Sequence, residues 1–419
     1  MVFLIFGVLV FLGIPIAFSL GIASTLGLIM INPALLPTVP LRMLNGIDSF
    51  SLLAIPLFLL AGKIMTHTRI ALKLMNLAQA LVGFMKGGLA HVNIVTSMFF
   101  GGMSGSAVAD VSSIGAVLIP GMTKKGYEAE FAAAVTSSSS SIGIIIPPSI
   151  PMILFGVITG TSISALFIAG IIPGVLVTVA QMITVYIIAR KRNYRTEGKF
   201  KWNNLILRFK EALPCMLIPF VIMGGIWFGW FTPSEASVAA LLISLFLAIF
   251  IYKELPLRDI PKLLYETAID TTNVGFLIGA ATLYAWIISY LKIPRIIGDL
   301  IMAAPGGSAT ALALIIITLI ITGCFITTSA TIIMMIPILL PIAEMAGLNP
   351  VQFGIITVIC IAIGQQTPPV GTALIISSKI AGTSIERVTI YNWPFILATF
   401  IVLVLVTFFP NTFLIQLIP

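Results

Sequence analysis

Four short polar segments interrupt an otherwise apolar sequence, and their residue types could bind a small cation. They lie at 101–110, 137–149, 322–331 and 364–372. Each combines glycine with serine or threonine, and the second and fourth also contain a Pro-Pro pair. Carbonyls freed where proline breaks a helix, together with hydroxyl groups, form a hard and neutral set of oxygen ligands. Such a set suits Na⁺, which must exchange a strongly bound hydration shell for several oxygens.

The polar segments occur in both halves of the chain, so the sequence predicts two or more Na⁺ ions and a substrate between them. The predicted cation ligands are Ser104, Ser106, Asp110, Ser141 and Gly143 in the first half, and Gly323, Thr327, Gln366, Thr367 and Gly371 in the second. The predicted substrate contacts are Ser104, Ser106, Asp110, Ser149, Thr327 and Thr372. The alternative is that serine and glycine only allow the helices to pack closely.

Charged residues are rare in these segments. Asp110 is the one acidic residue in them. An acid inside a membrane segment indicates function, so Asp110 could complete a cation site or carry a proton. Alternatively, it could lie at a hairpin mouth and reach water or a lysine. Lysine and arginine are absent, so an anionic substrate would be held by helix N-termini, backbone N–H groups, hydroxyls and bound cations. Glu235, in Thr-Pro-Ser-Glu, could either cap a helix or serve function.

The composition places the chain in a membrane. It has 419 residues, of which 59% are hydrophobic and 9% charged, and the mean hydropathy is +1.16. A soluble protein carries about 25% charged residues. Two histidines and three cysteines without metal spacing argue against a metal or haem centre. The net charge of +8 is assigned to basic cytoplasmic loops, and nucleic-acid binding is not expected.

The elements that position the polar segments follow from apolar runs of about 20 residues, the length that crosses a bilayer. Spans are predicted at 2–31, 47–66, 163–189, 212–231, 234–252, 267–290 and 388–409, with amphipathic stretches at 33–45 and 253–266. Glycine-rich and Pro-Pro interruptions predict re-entrant hairpins at 89–121 and 309–341, and broken helices at 128–157 and 350–378. The predicted fold is therefore an all-α polytopic membrane protein.

The basic residues test this layout. With the N-terminus inside, all lysines and arginines except Arg42, Lys292 and Arg295 fall on the inner side. Cytoplasmic loops carry an excess of lysine and arginine. The charge distribution thus predicts a cytoplasmic N-terminus and an external C-terminus.

An internal repeat is visible at a spacing of 221 residues. Pro147-Pro148 matches Pro368-Pro369, and Gly143 matches Gly364. The order of elements also recurs: amphipathic stretch, span, hairpin, broken helix, span. Because the span at 212–231 reverses the second copy, the repeat is predicted to be inverted, as in secondary transporters whose sites lie at the midplane between discontinuous helices.

One short motif is also typical of a different class of protein. Gly102-Met-Ser104-Gly105 matches the Gly-x-Ser-Gly of intramembrane serine proteases, which need a histidine base. Both His67 and His91 precede the serine and lie at predicted loop or helix ends. The sequence therefore favours a transporter over an enzyme.

Motifs spread over nearly the whole chain resemble those of one transporter family. They are Pro56–Gly62 (PLFLLAG), Phe100–Asp110 (FGGMSGSAVAD), Ile146–Ser149 (IPPS), Phe167–Gly174 (FIAGIIPG) and Thr232–Ala236 (TPSEA). The chain resembles the large membrane subunit of tripartite ATP-independent periplasmic (TRAP) transporters. It differs from the family at Thr66-His-Thr68, where a Gly-Gly pair is frequent.

The resemblance implies an elevator-type, Na⁺-coupled importer of organic acids such as sialic acid or C4-dicarboxylates, in the bacterial inner membrane. It implies two partners, a small membrane subunit and a periplasmic substrate-binding protein, and puts a cation and substrate region at Ser104, Ser106 and Asp110. A stand-alone Na⁺-coupled anion symporter of related architecture is the alternative. The predicted division is scaffold at 1–86, transport core at 87–162, scaffold and linker at 163–305, transport core at 306–385, and a last span at 386–419.

Overall fold

The computed structural model describes residues 2–68, 70–194, 196 and 198–410. Within these ranges every regular element is helical, and seven helices are long and apolar enough to cross a membrane; a bent pair makes an eighth. The all-α polytopic fold is therefore confirmed. Arg69 and Arg195, which the sequence places on the inner side, and residues 411–419 of the last predicted segment lie outside the described residues.

The first predicted span, 2–31, is wrong as a single helix. It consists of α1 (Val2–Phe11) and α2 (Ile16–Ile31). Gly13, with a φ of 82°, and Pro15 lie in the connection, where neither continues a helix. The chain folds back there, because a Cβ built on Gly27 would lie 2.5 Å from Val2 Cγ2. The start of α1 is thus beside the C-terminal half of α2.

Three helices lead from α2 to the first polar segment. They are α3 (Thr38–Ile47), α4 (Ala54–His67) and α5 (Ile70–Val82). A hairpin follows, composed of α6 (Gly88–Ser104), α7 (Ala107–Asp110), a π-helical turn (Val111–Gly115) and α8 (Ala116–Lys124). Gly105 ends α6 in the left-handed region (φ 60°), where glycine is favoured, and the Ser106 side chain caps α7. The hairpin tip thus forms at the predicted glycine–serine sequence.

The first broken helix consists of α9 (Ala129–Ser140), α10 (Ile142–Ile145) and α11 (Ile150–Thr159). Its two arms meet at an angle of 42°. Pro147 and Pro148 lie in the gap, where they remove backbone donors, and Ser149 caps the helix that resumes. This confirms the predicted break. The long helix α12 (Ile163–Lys191) completes the first half.

One long helix, α13 (Trp202–Trp227), connects the halves. The second half comprises α14 (Pro233–Phe246), α15 (Ile260–Tyr290), α16 (Ile293–Met302), α17 (Ser308–Phe325), α18 (Thr328–Met345), α19 (Pro350–Gln365), α20 (Thr372–Ala381) and α21 (Ile385–Phe408). The predicted boundary between an amphipathic stretch at 253–266 and a span at 267–290 is wrong in part. No glycine or proline interrupts the chain near 266, so α15 runs through it.

The two halves repeat both their elements and their packing. In each, a hairpin (α6–α8, α17–α18) is followed by a broken helix (α9–α11, α19–α20) and a long helix (α12, α21). The packing is reciprocal: α15 packs against α2, and α4 packs against α14. The Pro147–Pro148 and Pro368–Pro369 peptide bonds are both cis. The repeat seen in the sequence is therefore a repeat of structure.

Candidate transport site

A central cavity of about 300 Å³ lies where the four polar segments meet. Hairpin tips and broken helices from both halves line it, and α4 and α15 close one side. The polar or small lining residues are Gly105, Ser106, Ala107, Asp270, Asn273, Thr327, Thr328, Ser329, Gln365 and Thr372. Ser106, Thr327 and Thr372, three of the predicted substrate contacts, are thus brought together. By length alone α17 and α18 could each cross a membrane, but their connecting tip lies at this cavity.

Close backbone packing holds the first hairpin against the first broken helix. A Cβ built on Gly101 would lie 2.3 Å from the Gly143 Cα. A Cβ on Gly62 of α4 would lie 3.6 Å from the Ser104 Cα on the other side of the tip. Glycine at Gly101 and Gly143 therefore has a packing role, as the alternative reading of the sequence proposed. The second half repeats this contact, since a Cβ on Gly364 would lie 2.7 Å from the Gly323 Cα.

Asp110 lies at the end of a buried chain of polar side chains. Its carboxylate is 1% exposed, and the Ser97 hydroxyl lies 3.3 Å from Oδ1. The Ser97 hydroxyl also lies 3.0 Å from that of Ser139, which donates to Asn93 Oδ1 at 3.1 Å. Asn93 in turn donates to Thr136 Oγ1 at 2.7 Å. The burial contradicts the alternative in which Asp110 reaches water at a hairpin mouth.

Two oxygens near this tip have no hydrogen-bond partner within the described part of the chain. They are Asp110 Oδ2 and Ser104 Oγ, both buried. Asp110 Oδ2 faces the first broken helix, 3.7 Å from a Cβ built on Gly143. A buried polar atom left without a partner is costly, so such atoms indicate a ligand that supplies the missing interaction. An oxygen can accept a cation, which fits the predicted first site.

Ser141, a predicted cation ligand, and Ser149, a predicted substrate contact, each donate a hydrogen bond to a nearby backbone carbonyl. The Ser141 hydroxyl donates to Ser138 O at 2.6 Å, and the Ser149 hydroxyl donates to Ile144 O at 2.5 Å. Ser149 also caps α11 by accepting from the Met152 N–H at 3.4 Å. Ser149 is fully buried and does not line the central cavity. Ser149 thus satisfies the Ile144 carbonyl before the Pro-Pro break, whereas Ser138 O also accepts from the Ser141 N–H and from Gln181 Nε2, each at 3.1 Å.

The second break presents a buried amide. Gln366 is fully buried, and neither Oε1 nor Nε2 has a hydrogen-bond partner among the residues that the structure describes. Its backbone carbonyl accepts from Asn392 Nδ2 at 2.7 Å. Gln365, which lines the central cavity, also has an Oε1 without a hydrogen-bond partner among the described residues. Two residues consecutive in sequence thus have amide oxygens without donors at the second break, and one of them, Gln366, is a predicted cation ligand.

The remaining predicted residues of the second site fix the break to the hairpin. The backbone N–H of Gly371 donates to Cys324 O, next to Gly323, at 3.0 Å. The Thr367 hydroxyl donates to Ile363 O at 2.6 Å. Thr367 therefore satisfies a carbonyl inside its own helix, while Thr327 and Thr372 face the cavity.

Lys63, a basic residue beside the site, is not among the predicted site residues. A second cavity of about 410 Å³ is lined by Lys63, His67, Ser104, Ser106 and Asp270, among others. Lys63 Nζ lies 2.6 Å from Asp270 Oδ2. Neither residue lies in a polar segment, so only the packing of α4 against the hairpin and of α15 against α4 brings them there.

Residues proposed for other roles are placed elsewhere. Glu235 forms a capping box with Thr232, whose backbone N–H donates to Glu235 Oε2 at 2.8 Å, and it does not line either cavity. His91 is on the same helix as Ser104, thirteen residues earlier, or about 20 Å along the axis, so it cannot be its base. In the described part of the chain, no group of three or more His, Cys, Asp or Glu residues could hold a metal ion.

Comparison with known proteins identifies the family of this chain. The model of the "Tripartite ATP-independent periplasmic transporter, DctM component" matches residues 3–412. The chain belongs to this family. It is 38% identical over 403 residues to the sialic acid TRAP transporter large permease protein SiaM of Vibrio cholerae, with 96% of this chain and 94% of that protein covered.

Other relatives are named for different substrates. The C4-dicarboxylate TRAP transporter large permease protein DctM of Rhodobacter capsulatus is 34% identical, with 97% of this chain and 96% of that protein covered. The 2,3-diketo-L-gulonate large permease YiaN of Escherichia coli is 33% identical, with the same coverage of both chains. The crystal structure of the YdaH transporter of Alcanivorax borkumensis has the same fold: the TM-score is 0.65 at 14% identity, over 92% of this chain and 90% of that one.

These matches confirm the resemblance seen in the sequence. The chain is a TRAP large permease, a multi-pass inner-membrane transporter protein and not an enzyme. The intramembrane protease alternative is therefore wrong. The Thr66-His-Thr68 departure lies at the end of α4, where His67 Nε2 contacts Asp259 Oδ2 at 3.3 Å.

Proposed function

We propose that this TRAP large permease imports an organic acid anion through the central cavity, driven by Na⁺. The observation that carries the proposal is the meeting of both hairpin tips and both broken helices at one cavity of about 300 Å³. Backbone and hydroxyl groups dominate its polar lining, and relatives named for sialic acid, C4-dicarboxylates and 2,3-diketo-L-gulonate support a carboxylate-bearing substrate. Ser106, Thr327 and Thr372 are the proposed substrate contacts.

Na⁺ coupling rests on the unsatisfied buried oxygens on either side of the cavity. Ser104 Oγ and Asp110 Oδ2 would ligate one ion, and Gln366 Oε1 the other, with carbonyls of the breaks completing each set. Hard oxygen ligands with a single carboxylate suit a monovalent alkali cation better than a transition metal. A cation bound there would also attract the substrate anion, which couples the two binding events.

The partners and orientation are part of the same proposal. TRAP membership implies a small membrane subunit and a periplasmic binding protein that hands over the substrate. Lys73 in α5 and Lys124 and Lys125 at the end of α8 would face the cytoplasm, and α21 would end outside. We assign the orientation from these lysines rather than from the N-terminus, because α1 folds back along α2. Movement of the hairpins and broken helices against α4 and α15 would carry the substrate across.

Uptake by the reconstituted system tests this function. Proteoliposomes containing the chain and its small membrane subunit, with the binding protein outside, would be given radiolabelled sialic acid, succinate or 2,3-diketo-L-gulonate. An inward Na⁺ gradient should drive accumulation of at least one of them, and an equal K⁺ gradient should not. Uptake of free substrate without the binding protein would favour the stand-alone symporter. Absence of Na⁺-dependent uptake of every acid would contradict the proposed function.

A further inference from the structure

The ion pair between Lys63 and Asp270 lies where the two cavities meet. Leu59, Ser106, Val108 and Asp270 line both cavities, so a solute leaving the central cavity on this side passes them. Lys63 lines the second cavity beside Ser104 and Ser106. A Cβ built on its neighbour Gly62 would lie 3.6 Å from the Ser104 Cα, an ordinary contact distance, so α4 packs directly against the hairpin tip. This contact places Lys63 beside the tip.

Lys63 is the one lysine or arginine among the described residues that line either cavity. Two other ionisable residues of the second cavity have their own partners: His67 Nε2 contacts Asp259 Oδ2 at 3.3 Å, and Glu266 Oε1 lies 4.0 Å from Lys262 Nζ. The Lys63 side chain is 24% exposed and that of Asp270 47%. An ammonium has three donors, and the one contact shown, to Asp270, leaves two for a ligand in the cavity.

The ion pair between Lys63 and Asp270 reduces electrostatic repulsion along the route of an anion. Asp270 alone, half-exposed at the edge of the central cavity, would repel a carboxylate that passes it. Lys63, at 2.6 Å, neutralises this charge. When a carboxylate arrives, the flexible stem of lysine allows the ammonium to turn toward it while staying near Asp270.

We propose that Lys63 binds the carboxylate of the transported acid on the cytoplasmic side of the central cavity, and that Asp270 is a positioning residue that holds the ammonium there between turnovers. This inference rests on the proposed import of an organic acid. It assigns specificity for anions to the scaffold helices α4 and α15, outside the hairpin tips and breaks. A neutral solute of the same size would gain nothing from Lys63.

Four variants in the reconstituted system test the assignment, with succinate and sialic acid as probes. Lys63→Met keeps the stem and removes the charge, and Lys63→Arg keeps the charge. Asp270→Asn removes the repulsive charge. Lys210→Met is the matched control, because Lys210 is an exposed lysine on α13 that lines neither cavity. The initial rate of Na⁺-driven uptake and the thermal unfolding temperature of each purified variant would be measured.

We expect Lys63→Met to lower uptake roughly tenfold, the effect of losing one hydrogen bond to a charged group, without lowering the unfolding temperature. Lys63→Arg should retain more than half of the rate, and Asp270→Asn should lose no more than about threefold because Lys63 remains. Lys210→Met should match the unaltered protein.

Two results would overturn the assignment of Lys63. Full uptake by Lys63→Met would show that the anion does not use it. Equal losses of uptake and of unfolding temperature in Lys63→Met and Asp270→Asn would show a structural clamp between α4 and α15. Absence of uptake by the unaltered protein would instead overturn the proposed function and this inference with it.

Discussion

The Ser97 hydroxyl on α6 lies 3.3 Å from Asp110 Oδ1 on the returning arm of the same hairpin. This contact joins the two arms directly below the tip that holds Ser104 and Ser106. It orients one carboxylate oxygen and leaves Oδ2 without a partner among the described residues. The carboxylate is therefore held in place with one free oxygen, which is what a cation ligand requires.

Asp110→Asn should lower Na⁺-driven uptake at least tenfold. The amide keeps an oxygen for Ser97 but loses the negative charge that stabilises a buried cation. Uptake would be measured at several Na⁺ concentrations, with thermal unfolding as the test of folding. Na⁺-driven uptake at the level of the unaltered protein would show that Asp110 is structural.

Ser97→Ala should raise the Na⁺ concentration needed for half-maximal uptake several-fold, because the Asp110 carboxylate would lose its orienting hydrogen bond. The stability cost should be about 1 kcal/mol. Ser113→Ala is the matched control: its hydroxyl donates to Ala109 O at 2.7 Å in the same hairpin and does not contact the carboxylate. If both variants have the same Na⁺ dependence, Ser97 does not position Asp110.

Gln366→Leu should weaken the Na⁺ dependence of uptake without lowering the thermal unfolding temperature. The substitution removes two buried polar atoms that have no partner in the described chain, so it relieves an unsatisfied amide while deleting a proposed ligand. Gln352→Leu is the comparison. It removes a hydrogen bond of 2.9 Å to Thr407 O and should lower stability by about 1 kcal/mol without changing the Na⁺ dependence. If Gln352→Leu weakened the Na⁺ dependence and Gln366→Leu did not, the second cation would bind elsewhere.

Gly101→Ala should destabilise the protein by about 1–3 kcal/mol, since its Cβ would lie 2.3 Å from the Gly143 backbone and force α6 away from α10. Gly121→Ala in the same hairpin meets nothing within 4 Å and should be tolerated. Thermal unfolding of both purified variants checks this. Equal stability would mean that the hairpin and the broken helix do not pack as closely as described.

Much of the fold could be predicted because its signals are local. Proline removes a donor wherever it lies, so Pro147-Pro148 and Pro368-Pro369 marked both breaks. Hydropathy and the 221-residue spacing indicated the membrane class and the repeat. The prediction failed where a boundary depended on packing: α1 folds back on α2 through the contact of Val2 with Gly27, and α15 continues past residue 266.

Some site residues could likewise be predicted from the sequence, and others could not. Ser106, Thr327 and Thr372 could be selected by residue type and position in a segment, and they line the cavity. Ser149 has the same residue type, but its hydroxyl donates across the Pro-Pro break to Ile144 O of α10 at 2.5 Å, which residue type does not indicate. Asn93, Ser97 and Lys63 were missed because they lie outside the four polar segments from which the site residues were predicted.

The sequence by itself determined the membrane class, the breaks, the repeat and the family, because hydropathy and the backbone limits of proline and glycine act within a few residues along the chain. Only the tertiary structure decided which polar groups are satisfied. Asp110 receives its hydrogen bond from an arm thirteen residues earlier, and Lys63 meets Asp270 from a helix in the other half of the chain. Such partners are set by the packing of helices distant in sequence.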